Sequence, residues 1–127
     1  MAIRTELSFR LQNTPGAFAR VNQLLDHEHI NILALTLEAG GVLRLILDNP
    51  LHAAGILREH QYRVEEHEVL YVSLPNDPGA LATVARMLAS ASINVEYAYA
   101  AAVEGHGMAA AVVGVADAPR AAAIAGL

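Results

Sequence analysis

Apolar residues recur at every second position across Glu6–Gln12 (ELSFRLQ), where Leu7, Phe9 and Leu11 share one side. That period predicts a half-buried strand. After "NTPGA" the spacing changes: Phe18, Val21 and Leu25 fall at i, i+3 and i+7, one buried stripe of a helix. Pro15 suits the first helical position, where its missing N–H costs nothing, and Thr14 before it suits the N-cap. The helix is expected to end near Glu28. A β-rich run follows in "INILALTLEA", and Gly40-Gly41 marks a hairpin. "VLRLILD" returns with Leu43, Leu45 and Leu47 on one side and Arg44 and Ile46 on the other. Asp48-Asn49-Pro50 opens a second helix that runs to about His60, and "YRVEEHEV" comes back as a polar strand. The order is β-α-β-β-α-β, the ferredoxin-like pattern.

The same pattern then starts again. Asn13–Ile32 and Asn76–Val95 align without a gap at an offset of 63, and nine of twenty positions are identical. Asp77 takes the place of Thr14 as N-cap, Leu81, Val84 and Leu88 repeat the apolar stripe, and Ala91 ends the helix. "INVEYAYAAAV", the turn "EGHG" and "MAAAVVGVA" repeat the hairpin with a longer loop, and Asp117-Ala118-Pro119 opens another helix. The expected fold is α+β: two ferredoxin-like units in tandem, residues 1–68 and 69–127, each an antiparallel sheet with helices on one face. On this register the second unit lacks its last strand. Bare sheet edges are usually covered, so a strand from a partner chain, or the Tyr62–Leu74 segment shared between units, is expected to fill the gap.

Composition narrows the function. The 127 residues are 54% hydrophobic, enough for one ordinary domain or two small ones sharing a core. The net charge is −5, and the basic residues are eight scattered arginines, which offer no stripe for a phosphate backbone. With no cysteine and no lysine, thiolate and Schiff-base chemistry are out of reach. The N-terminus lacks the apolar core of a signal peptide. The longest apolar run near the end, "GMAAAVVGVA", is about half the ~20 residues of a membrane span. A cytoplasmic protein with no membrane or nucleic-acid partner is expected. No G-x-S-x-G, H-E-x-x-H or G-x-G-x-x-G occurs, so neither catalysis nor a cofactor is expected.

N-x-P-G-A at the first strand–helix junction, with I-N-[IV] opening the second strand, resembles the ACT domain, and two copies resemble small stand-alone proteins made of paired ACT domains. The likeness covers nearly the whole chain. It implies a non-catalytic regulatory module that binds a small ligand, most often an amino acid, at the strand–helix loop against a neighbouring ACT unit. Carried over, the ligand-binding positions are Asn13, Thr14, Pro15, Gly16 and Ala17, and Asn76, Asp77, Pro78, Gly79 and Ala80. Ile30, Asn31, Ile93 and Asn94 are expected close by.

Elementary chemistry agrees. A helix start offers unpaired N–H groups and a positive dipole end, and glycine lets a carboxylate approach them. Asn13 can donate and accept, and Asp77 could meet an ammonium where Thr14 cannot, so the two junctions should not bind alike. N-x-P-G-A also starts a helix well with no ligand, which leaves a ligand-free dimerisation or interaction module as the alternative. A histidine-based metal sensor is a third reading, on His27, His29, His52, His60 and His67, but no metal-ligand spacing supports it and no metal residues are assigned. A homodimer is expected, since a single unit of ~60 residues is marginal alone. Neither the ligand nor a downstream partner can be named from the sequence.

Overall fold

In chain order the elements of the computed structural model, which describes residues 2–125, are β1 (Ala2–Arg10), α1 (Ala17–His27), β2 (Ile32–Leu37), β3 (Val42–Leu47), α2 (Pro50–Glu59), β4 (Glu65–Pro75), α3 (Ala80–Ser90), β5 (Tyr97–Ala101), β6 (Met108–Gly114) and α4 (Ala118–Ala125). They form two compact units. One is Thr5–His67; the other is the chain from Glu68 onward together with its start up to Arg4. None of the described helices is long and apolar enough to cross a membrane.

In the first unit the strand order is β2-β3-β1-β4, all α+β in the expected way. Leu7 lies opposite Leu45 and Phe9 opposite Leu43 on antiparallel strands. The period-two face of β1 and β3 packs with Val21 and Leu25 of α1 and Ala53, Ala54 and Leu57 of α2, so both helices cover one face of the sheet. The other face carries a surprise. Ile46, placed by alternation on the polar side, is fully buried beside Glu6, its register partner, which is also fully buried. Arg44 reaches Glu6 at 3.2 Å and Glu38 at 2.8 Å, so one guanidinium bridges two carboxylates.

In the second unit the order is β1-β4-β6-β5, with Ala2–Arg4 of β1 in the fourth place. The gap expected in this unit is thus taken by the start of the chain's own first strand, not by a partner or by the Tyr62–Leu74 segment. The Arg4 guanidinium sits 5.1 Å from the centre of the Tyr71 ring, a cation–π contact. Leu70, Val72 and Leu74 of β4 pack with Val84 and Leu88 of α3 and with Ala118 and Ala121 of α4. β5 begins only at Tyr97; Ile93–Glu96 lead into it, with Glu96 N–H already donating to the Gly114 carbonyl of β6 at 2.9 Å. Tyr97 is paired with Gly114, and a Cβ there would meet its ring at 2.3 Å. Only glycine lets the ring lie across β6.

Candidate functional site

The N-x-P-G junctions are built as turns. Gly16 has φ 85° and ψ −8°, and Ala17 N–H donates to the Thr14 carbonyl at 3.2 Å. Proline at the second position, glycine with positive φ at the third and an i to i+3 bond define a type II turn. Gly79 repeats it with φ 85°, and Ala80 N–H donates to Asp77. This corrects the expected caps. Pro15 and Pro78 lie in the turn, ahead of helices that start at Ala17 and Ala80, and Thr14 and Asp77 contribute backbone carbonyls, with no side-chain cap. The glycines are required by φ: a Cβ on Gly79 would meet nothing within 4 Å.

The buried stripes keep Val21 and Leu25, and Val84 and Leu88, but not their first expected residues. Ala17, Val21 and Leu25 face the core, while Phe18 is 38% exposed and Leu81 50% exposed. Phe18 is freed to line a cavity of about 320 Å³ between the junction and the β2–β3 hairpin, walled by Asn13, Thr14 and Ala17 on one side and Leu37–Gly41 on the other. That volume is at the small end of ligand sites (~300–1,000 Å³). The hairpin closes as a turn with Gly41 N–H on the Glu38 carbonyl at 2.9 Å and Gly41 at φ 92°, a glycine bulge that matches the strand twist.

Two of the cavity's polar groups are unspent: among the described residues the Asn13 side chain makes no hydrogen bond, and the Phe18 N–H has no backbone carbonyl to donate to. The Glu38 carboxylate stands on the hairpin side, held by Arg44. An amide, a free helix-start N–H and a carboxylate at one end of an aromatic-lined hollow suit a molecule with one carboxylate and one ammonium. Glu38 and Phe18 were missed by sequence reasoning. Phe18 read as core, and Glu38 is 25 residues from Asn13 with no pattern linking them.

The second junction is different. Asn76 donates its side-chain amide to the Val103 carbonyl at 3.2 Å and the His106 carbonyl at 2.9 Å, and its backbone N–H to Gly107 at 2.9 Å. Its donors fasten the long β5–β6 loop. The I-N pairs are not brought to either junction. Ile30 N–H bonds to Leu25 at 2.9 Å and His29 N–H to Asp26 at 3.0 Å, with His29 at φ 55°. Ile93 and Ser92 repeat this on Leu88 and Ala89. These are Schellman ends, one full 11-residue helix, about 16 Å, from the N–H groups at its start. Asn31 N–H goes to Asp48 Oδ1 at 3.0 Å, and Asn94 lines a separate hollow with Asp117 and Arg120. Among the described residues no three histidine, aspartate or glutamate side chains come together as a metal site; His52 meets Glu28 at 3.5 Å.

A family model described as "ACT domain pair" matches residues 1–125. A crystallised protein from Bacteroides thetaiotaomicron is 30% identical, covers 96% of this chain and 85% of its own, and superposes with a TM-score of 0.87. The ligand-free regulatory subunit of aspartate kinase from Thermus thermophilus is 17% identical at a TM-score of 0.68, with 98% of this chain and 92% of that one covered. Aspartokinase III from E. coli, in complex with lysine and aspartate, is 21% identical at a TM-score of 0.59, with 94% of this chain and 30% of that one covered. These last two likenesses concern the fold. No curated protein matches the chain in sequence.

Proposed function

We propose, from the premise that this chain belongs to the ACT domain pair family, that it is a non-catalytic cytoplasmic sensor of a free amino acid. The observation that carries the reading is the cavity at the first junction, where Asn13, Phe18 at the helix start and Glu38 line one hollow and the Asn13 amide has no hydrogen-bond partner among the described residues. The amide and the Phe18 N–H take the ligand's carboxylate, Glu38 takes its ammonium, and Phe18 contacts its side chain. Aspartokinase III from E. coli was crystallised in complex with lysine and aspartate, both amino acids.

The halves, divided near residues 68 and 69, have separate tasks in this reading. The first binds. The second has given its junction asparagine to its own loop and serves assembly, with the chain acting as a homodimer that hands occupancy to a separate enzyme or regulator. The ligand-free interaction module remains the competing reading, supported by the committed state of Asn76. Thermal unfolding against each of the twenty amino acids separates them. The sensor predicts a raised midpoint with one or a few, abolished in Asn13→Ala; the interaction module predicts none.

A further inference from the structure

Of the eight basic residues in a chain of net charge −5, three line one cavity. Arg10, Arg20 and Arg63 surround a hollow of about 440 Å³ with Gln12, His60 and Tyr62, and no carboxylate is among its lining residues. A second hollow of about 420 Å³ adds His27 to Arg20, His60 and Tyr62, again without a carboxylate. All of these residues belong to the first unit. Other arginines are spoken for: Arg44 and Arg58 pair with glutamates, and Arg4 lies on Tyr71.

Arg10, Arg20 and Arg63 are all exposed, and they gather like charge on one hollow. Arg20 is in the first turn of α1, and its guanidinium lies 3.5 Å from where a Cβ on Gly16 would be. The start of a helix is its positive end, where a cation is repelled and an anion is favoured. Arg20 and Arg63 make no ion pair among the described residues. Arg10 donates to the Gly40 carbonyl, which leaves most of its five donors free.

The internal repeat shows that the fold does not need these charges. At the offset of 63, Ser73 stands for Arg10, Pro75 for Gln12 and Thr83 for Arg20. Thr83 simply donates its hydroxyl to the Gly79 carbonyl at 3.2 Å and the same helix forms.

We propose that the Arg10–Arg20–Arg63 cavity is a second ligand site, adjoining the Asn13 cavity along Leu11, Gln12 and Ala17, for a small oxyanion carrying at least two negative charges. Guanidinium groups bind phosphate and carboxylate through the same paired N–H geometry. The ligand is therefore phosphate-bearing or polycarboxylate. An amino acid with one carboxylate cannot satisfy three guanidinium groups.

Pyrophosphate and citrate, each titrated against the full chain at constant ionic strength with sodium chloride as the balance, test this by thermal unfolding and calorimetry. At least one is expected to bind and raise the midpoint. In Arg20→Thr/Arg63→Gln the apparent Kd should weaken by at least about tenfold, while Arg86→Gln/Arg120→Gln, with the same loss of charge, should keep it. Response to pyrophosphate alone identifies a phosphate ligand, and response to citrate alone a polycarboxylate. No binding by either anion, or binding that both double variants weaken equally, overturns the proposal. Should the first double variant unfold, the exposed single change Arg63→Gln carries the same comparison. The amino-acid response of the Asn13 cavity should survive in either case, so failure of one site is read apart from failure of the other.

Discussion

Gly16 and Gly79 hold the same backbone, φ 85°, at equivalent turns. A side chain there costs about 1–2 kcal/mol in the left-handed region. Gly79→Ala, whose methyl meets nothing, should lower urea-unfolding stability by about 1 kcal/mol, with Gly79→Asn recovering part of it because asparagine tolerates positive φ. A neutral Gly79→Ala would mean the turn relaxes. The asparagines of the two motifs should part company. Asn76→Ala loses two side-chain bonds and should cost roughly 1–3 kcal/mol. Asn13→Ala loses none and should stay within about 0.5 kcal/mol of the parent. The motif letters are identical, and nothing local separates them; the difference arises from what the β5–β6 loop brings back across 27 to 30 residues. Arg44→Ala should cost about 2–3 kcal/mol, since Glu6 is fully buried while Arg44 keeps 21% exposure. A change under 0.5 kcal/mol by chemical denaturation would show that other partners suffice for Glu6.

At the scale of the element, strands and helices were legible because period two and the helical stripe are strong and the repeat reads them twice. What was not legible depended on geometry between elements. Pro15 was read as the first helical residue because that position tolerates proline, but the positive φ of Gly16 ends a turn there and the helix starts two residues later, at Ala17. Ala17 takes the core position at the helix start, and Phe18 lies on the cavity wall. Ile46 fell on the polar side by alternation, but it is fully buried there beside Glu6. The I-N pairs were carried over from the family resemblance; in the structure both follow helices that end in the same Schellman turn. β5 and β6 offer a test of element packing. Gly114→Val should destabilise by about 1–3 kcal/mol through collision with Tyr97, and Tyr97→Ala should relieve most of that in a double-mutant cycle. Additive costs would show that the ring already moves freely.

For the molecule as a whole, duplication supplied two scaffolds whose junctions differ. The first unit holds an open junction, a free asparagine and a cationic hollow beside it. The second spends its junction on its own loop and takes its fourth strand from the start of the chain. The first junction is proposed to sense an amino acid. Thermal unfolding of the full chain with each of the twenty amino acids, beside Asn13→Ala, tests it most directly. A ligand at a hundred times its Kd adds about 2.7 kcal/mol, a rise of several degrees for a protein of this size. The account predicts such a rise with at least one amino acid, absent in Asn13→Ala and retained in Asp77→Ala. A flat response to all twenty at millimolar concentrations, or a rise that Asn13→Ala leaves untouched, would contradict it.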